Sequence, residues 1–162
     1  MRAAAVLVLS LLTACGNEPP ARVNLGDAAP AAEARHLDGT RVQVPAAFAG
    51  KPLVMRCWAD WCRYCEGEMK GIEPVYQRYR GRGLEVLAIN VGQDPATAEA
   101  FGRRLGISYP VLVDQEAAVA RRYGVVGLPT TFFVDSQGII RGKIVGEADA
   151  ADFERQLQVL LP

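Results

Sequence analysis

The segment Trp58-Ala-Asp-Trp-Cys-Arg-Tyr-Cys65 determines how the rest of the chain is interpreted. It ends an apolar run at residues 52–58 that is typical of a buried strand, and it precedes a run at 66–80 whose apolar residues have helical spacing. Cys62 and Cys65 therefore lie where a strand gives way to the N-terminus of a helix. At such a junction, unpaired backbone N–H groups and the positive end of the helix dipole lie beside the sulfur atoms.

The position of this cysteine pair favours a reactive thiol. A helix N-terminus stabilises thiolate, and cysteines of the Cys-x-x-Cys type can have pKa values down to about 3.5–7.5. The spacer lets the second sulfur close a disulfide from a deeper position. We therefore expect Cys62 to attack a substrate disulfide and Cys65 to resolve the mixed disulfide that forms. This chemistry requires no metal and no diffusible cofactor.

Two structural roles compete with redox chemistry for the pair. A Cys-x-x-Cys motif can supply half of a zinc site, but neither Cys15 nor Cys57 completes a recognisable ligand spacing, and His36 is the single histidine. A static structural disulfide is the second possibility, although a strand-to-helix junction is a poor place to hide one. Redox chemistry is the favoured interpretation because of the context of the motif. Cys57, within the apolar run, is expected to be a buried and inert core residue.

Strand and helix patterns alternate outward from this segment. We predict a hairpin around 36–44, strands at 84–91 and 109–113, helices at 95–105 (with Asp94 as its N-cap) and 115–123, a second hairpin at 130–134 and 139–145, and a closing helix at 148–161. This order indicates an α/β sandwich with a mixed sheet, forming one domain over residues 23–162. The 162-residue chain carries 18 basic and 18 acidic residues, so nothing favours a nucleic-acid partner, and we expect a monomer.

The N-terminus has the pattern of an export signal. Met1-Arg2 precedes about ten apolar residues, too few for a membrane-spanning helix, which needs roughly 20. We predict a signal peptide over residues 1–14, with a buried N-terminal helix as the alternative. The run ends Leu12-Thr-Ala-Cys15-Gly, which resembles the bacterial lipobox. That resemblance implies that Cys15 is lipidated and that residues 15–22, rich in proline, form a flexible tether to the membrane.

Two motifs resemble those of the thioredoxin superfamily. The segment from Trp58 to Cys65 is similar to its active site, and Gly124-Val-Val-Gly-Leu-Pro129-Thr-Thr-Phe-Phe-Val-Asp135 is similar to the segment that carries its cis-proline. The wider pattern, with Gly26-Asp-Ala-Ala-Pro30, Asp38-Gly39 and the segment 105–114, resembles the exported TlpA/ResA/DsbE-type branch.

The resemblance implies a thioredoxin-like three-layer sandwich, with a mixed β-sheet flanked by helices. It also implies that Pro129 forms a cis peptide with Leu128 and packs against the cysteines. The residues around the pair that it assigns to supporting roles are Trp61, Arg63, Tyr64 and Glu68. We expect Trp61 to pack around the site.

The chain departs from the family pattern near the site. Arg56 stands where many thioredoxins carry a buried aspartate; a cation there would favour thiolate, unless the side chain points outward into solvent. Glu68 matches a carboxylate position of the branch and either tunes the pair, shuttles a proton or lies at the surface. Lys70 stands where the family has a helix-kinking proline, and Pro74 follows four residues later, so the kink is moved or absent.

By resemblance, the chain is a membrane-tethered disulfide reductase whose domain lies in the periplasm. It would receive electrons from a DsbD/CcdA-type membrane donor and reduce exported proteins, with apocytochrome c as a candidate. An oxidase or isomerase is the alternative, favoured by Arg63, which would stabilise the thiolate and make the disulfide more oxidising. A Cu(I) chaperone is a third possibility, although the wider cysteine spacing and distal histidine of such proteins are missing. A peroxidase is disfavoured because its Thr-x-x-Cys signature is missing.

Overall fold

The computed structural model describes residues 22–161, which contain a seven-stranded mixed sheet. Its strands in chain order are β1 (Ala32–His36), β2 (Arg41–Val44), β3 (Leu53–Trp58), β4 (Glu85–Val91), β5 (Val111–Asp114), β6 (Thr130–Val134) and β7 (Ile140–Val145). Across the sheet they lie in the order β2-β1-β5-β4-β3-β6-β7. The pairs β3/β4 and β4/β5 are parallel, and the other neighbours are antiparallel. The predicted signal peptide and lipidated Cys15 lie outside the described residues.

In the part of the chain that the structure describes, four α-helices flank the sheet: α1 (Cys65–Tyr79), α2 (Pro95–Leu105), α3 (Ala118–Arg122) and α4 (Ala150–Leu157). Short 3₁₀ turns occur at Ala46–Phe48 and Arg80–Arg82. Pro74 lies inside α1, whereas Lys70 forms an exposed ion pair with Glu66 at 2.9 Å. Within residues 22–161, no helix has both the length and the apolar character needed to cross a bilayer.

The first and last residues of α2 and β6 are those predicted from the sequence. The start of α2 follows from its sequence, because the Asp94 carboxylate accepts a hydrogen bond from the Thr97 N–H at 3.0 Å and Pro95 occupies the first helical turn. The helix predicted at 115–123 is shorter, since a turn closed by the Ala117 N–H and the Asp114 carbonyl precedes α3. The predicted closing helix at 148–161 shrinks to α4, where Asp149 caps the start by accepting from the Asp152 N–H at 2.7 Å.

The core lies on both faces of the sheet. All six residues of β3 are buried, so its side chains alternate between two apolar clusters rather than between core and solvent. One cluster contains both cysteines of the pair and joins the sheet to α1, α2 and α4. The other lies against α3 and the β1–β2 hairpin. These layers confirm the predicted three-layer α/β sandwich and place the end of β3 and the start of α1 in its centre.

Candidate active site

Cys62 and Cys65 form a disulfide with their Cα atoms 5.4 Å apart, inside the usual range for such bonds. Cys65 is fully buried, whereas Cys62 retains 6% of its accessible surface, so the expected difference in depth is confirmed. The helix α1 begins at Cys65, and Cys62 lies in the turn before it, where its carbonyl accepts from the Cys65 N–H at 3.1 Å. Cys62 thus faces the positive end of the α1 dipole from one turn outside the helix.

A polar network holds the segment that leads into this turn. Gln93 accepts hydrogen bonds through Oε1 from the Asp60 N–H and from Asn90 Nδ2, each at 2.9 Å, and its Nε2 donates to Asp60 Oδ1 at 2.5 Å. Asn90 is fully buried near the end of β4, directly beside Trp58 in the register of the sheet. The network therefore ties the segment between β3 and Cys62 to the neighbouring strand. The sequence analysis missed it, although a buried-strand pattern that ends in asparagine is a usable signal.

Two tryptophans near the pair have different surroundings. Trp58 is fully buried, with its ring centroid 4.7 Å from that of Phe101. Trp61 is 71% exposed, so the expectation that it packs around the site is wrong. Trp61 lies in the turn between the end of β3 and the start of α1, where its side chain remains exposed. Tyr64 is also largely exposed, with the Arg63 guanidinium 5.7 Å from its ring centroid.

The loop before β6 carries the predicted cis-proline. The Leu128–Pro129 peptide is cis, which confirms that expectation. The Pro129 carbonyl accepts from the Gly146 N–H at 2.8 Å, and Thr130 Oγ1 donates to the Gly127 carbonyl at 2.7 Å. Leu128 is partly buried and packs against the core cluster that contains both cysteines. The loop therefore packs against the cluster to which the cysteines belong, and hydrogen bonds to Gly127 and from Gly146 fix its backbone.

Arg56 and Glu68 form a buried ion pair on the same side of the sheet as the cysteines. Arg56 is 2% exposed, pairs with Glu68 and donates through Nη1 to Thr131 Oγ1 at 2.9 Å. Glu68 is 9% exposed and also accepts from the backbone N–H of Ala148. Burial lowers the pKa of Arg56 to about 10, so the guanidinium is still charged at neutral pH. The alternatives of a solvated Arg56 and of a surface Glu68 are therefore wrong.

Cys57 is the one free cysteine among residues 22–161, and it is buried on the opposite face of the sheet. Burial raises the pKa of its thiol to about 12, since no solvent is present to stabilise a thiolate there. The thiol therefore stays protonated at physiological pH. The expected burial of Cys57 in the core is confirmed, and the raised pKa of its thiol supports the expectation that it is unreactive.

Comparison with known proteins agrees with this geometry. The AhpC/TSA family matches residues 25–143. The thiol-disulfide oxidoreductase ResA of Geobacillus thermodenitrificans is 32% identical, with 97% of this chain and 94% of the relative aligned. The ResA of Geobacillus kaustophilus is 36% identical over 71% of this chain and 66% of the relative. A crystal structure from Chlorobium tepidum, described as a thiol:disulfide interchange protein DsbE, superposes with a TM-score of 0.79 at 26% identity, covering 86% of this chain and 99% of that one.

Proposed function

Since the chain belongs to the AhpC/TSA family and is a thiol–disulfide oxidoreductase of the TlpA/ResA/DsbE type, we propose that it reduces disulfides of exported proteins through Cys62 and Cys65. The observation that carries the proposal is the asymmetry of the pair, in which Cys62 retains 6% of its accessible surface and Cys65 is fully buried. An attacking thiol needs access, and a resolving thiol needs only its partner. This asymmetry matches the two steps of dithiol–disulfide exchange.

The proposed reaction moves two electrons from the pair to the substrate. The Cys62 thiolate attacks one sulfur of a substrate disulfide, and the other substrate sulfur leaves as a thiolate. The substrate thiolate that left takes up the proton of Cys65 through solvent, and the Cys65 thiolate attacks the Cys62 sulfur of the mixed disulfide. That step closes the Cys62–Cys65 disulfide and releases the second substrate sulfur. A DsbD/CcdA-type membrane dithiol would then reduce the pair and make it ready for another cycle.

The exposed side chains around Cys62 are proposed to receive the substrate. Trp61 and Tyr64 are exposed and flank the pair in the sequence, and Val126, 88% exposed, lies on the loop before the cis-proline. Exposed apolar groups clustered at a reactive atom are typical of an interaction site. Disulfides of exported proteins, including apocytochrome c, are the proposed substrates.

The direction of electron flow is tested by the reduction potential of the pair. We expect equilibration with dithiothreitol or glutathione buffers to give a value near that of thioredoxin, about −270 mV, as suits a reductant. A value near −120 mV, typical of strong oxidants, would instead favour the oxidase or isomerase alternative. Failure to form a reversible disulfide would contradict both and favour thiolates that bind a soft metal such as Cu(I).

The proposed location is the periplasmic face of a membrane, with the domain tethered through lipidated Cys15. The lipobox-like segment supports this proposal, and so do the exported families that the chain resembles. We expect the wild-type chain to enter the membrane fraction and to incorporate labelled palmitate, because two or more acyl chains anchor a protein stably.

The matched variants for this experiment each remove one cysteine. Cys15→Ala should lose the label and move to the soluble fraction, whereas Cys57→Ala, which changes a core residue, should behave as the wild type does. Equal labelling and fractionation of the wild type and Cys15→Ala would contradict the lipid anchor.

A further inference from the structure

The buried arginine of β3 connects four parts of the fold near the cysteine pair. Arg56 pairs with Glu68 of α1 and donates to Thr131 of β6. Glu68 in turn accepts from the Ala148 N–H, in the segment between β7 and α4. A single ion pair therefore links β3, β6, α1 and the approach to α4. Both side chains are nearly removed from solvent, so each depends on the other for charge compensation.

The ion pair lies one helical turn from the resolving cysteine. Cys65 and Glu68 are three residues apart on α1, and residues at that spacing are neighbours on a helix surface. Arg56 lies two residues from Val54 and two from Trp58 on β3, so the three side chains point to the same face of the sheet. Val54 and Trp58 belong to the same core cluster as both cysteines. The carboxylate and its guanidinium partner therefore share the low-dielectric face on which the thiolates must form.

A groove gives the carboxylate access to water. The groove has a volume of about 350 Å³ and is lined by Arg63 and Tyr64 on the α1 side, with Glu147 and Asp149 on the other side. Glu68 lines it as well, although its side chain is only 6% exposed. Protons can therefore reach Glu68 from solvent. Whether Glu68 accepts one near neutral pH depends on the charge that lies against it.

We propose that Arg56 is a positioning residue of the exchange reaction. It keeps Glu68 ionised and fixed, so that the cysteines lie beside a neutral ion pair instead of a carboxylate that exchanges protons. A lone buried carboxylate beside a thiolate would either repel it or take up a proton, and both events would couple its titration to that of the cysteines. The guanidinium removes both possibilities by cancelling the charge. The inference rests on the proposed role of Cys62 as the attacking thiol, but it holds for either direction of electron flow.

Other titratable groups lie around the ion pair. Tyr109 packs close to Arg56 and donates its hydroxyl to the Met69 carbonyl at 2.8 Å, and burial raises its pKa beyond the physiological range. Cys57, the next residue of β3, lies on the opposite face with its raised pKa. Arg63, Glu147 and Asp149 line the solvent-facing groove, where water and salt screen their charges. None of these is removed by substitution of Arg56, so a new titration in such a variant belongs to Glu68.

The test is the pH dependence of alkylation at Cys62 in the reduced full chain, followed by mass spectrometry of the labelled peptide between about pH 4 and pH 10. We expect one titration in the wild type. Arg56→Met should add a second, coupled titration and lower the thiolate fraction of Cys62 at neutral pH by about tenfold, equivalent to one pKa unit. Arg56→Lys, which keeps a cation, should restore a single titration.

Two further variants make the outcome decisive. Arg56→Met/Glu68→Gln removes both charges and should show a single titration with a thiolate fraction within about threefold of the wild type. Arg104→Met makes the same change in an exposed ion pair. Arg104 of α2 lies 3.1 Å from Glu66, which is on α1 as Glu68 is, and its substitution should leave the profile unchanged.

Three results would overturn the inference. They are a wild-type profile in Arg56→Met, a tenfold lower thiolate fraction of Cys62 in the double variant, or the same profile in Arg104→Met as in Arg56→Met. If the label in the wild type lies on a cysteine other than Cys62, the proposed function fails instead. The double variant keeps the test decisive even where Arg56→Met alone does not fold.

Discussion

We expect Cys62→Ser to abolish reduction of a disulfide substrate, and Cys65→Ser to block the reaction one step later and to accumulate a mixed disulfide. The difference follows from depth: Cys62 retains some access to solvent and Cys65 has none. Without Cys62 no thiolate reaches the substrate, so the rate should fall to that of the buffer alone. Without Cys65 the first attack still occurs, but the resolving thiol is missing.

Insulin turbidity with dithiothreitol measures turnover in these variants, and non-reducing electrophoresis with mass spectrometry detects the trapped adduct. Cys57→Ala is the matched control, because it removes a cysteine whose buried thiol has a pKa of about 12 and takes no part in exchange. It should retain the wild-type rate. A trapped adduct on Cys65 in Cys62→Ser would reverse the assigned roles, and residual turnover in Cys62→Ser would show that another group attacks.

Breaking the Arg56–Glu68 ion pair from one side should destabilise the fold strongly. Arg56→Met leaves a buried carboxylate without its cation, and removal of one partner of such a pair costs about 3–5 kcal/mol. Arg56→Met/Glu68→Gln should regain most of that loss, because apolar or neutral side chains of similar volume replace a buried ion pair at little cost. The measurement is the free energy of urea unfolding for the wild type, both single variants and the double variant, all kept oxidised.

The four free energies form a thermodynamic cycle that isolates the interaction between the two side chains. Arg78→Met, which breaks an exposed ion pair with Glu154, provides the comparison and should cost at most about 1 kcal/mol. Additive losses in the double variant would mean that the two buried charges are compensated by other groups. An Arg56→Met loss no larger than that of Arg78→Met would contradict the burial on which the prediction depends.

Local signals in the sequence predicted the fold where they were strong. The helix α2 has an aspartate cap, a first-turn proline and helical apolar spacing, and both of its ends match the prediction. The closing helix had apolar spacing over 148–161 but a capping signal only at Asp149, and after Leu157 the chain continues as a turn in which the Leu160 N–H donates to the Leu157 carbonyl at 2.9 Å. Periodicity alone therefore predicts that a helix exists better than where it ends.

The site was predictable to the extent that it is encoded in contiguous motifs. The cysteine pair and the cis-proline each lie in a short segment whose residues determine its geometry. The Arg56–Glu68 pair does not, because its members lie on a strand and a helix, and the strand is buried on both faces, so no alternation in the sequence shows which way Arg56 points. The network of Gln93 with Asp60 joins residues from separate loops and was missed for the same reason.

The strands at the two margins of the sheet affect how the protein behaves when many copies are crowded together. The outermost strand β2 has only four residues, and Arg41 and Gln43 point outward between buried Val42 and Val44. At the other margin, the start of β7 is covered, because Ile140 exchanges backbone hydrogen bonds with Gly26 and Asp27, and the next residue, Arg141, is exposed. Short strands with outward charges resist edge-to-edge pairing with a second sheet. The fold therefore limits aggregation through its own margins, even at high local concentration.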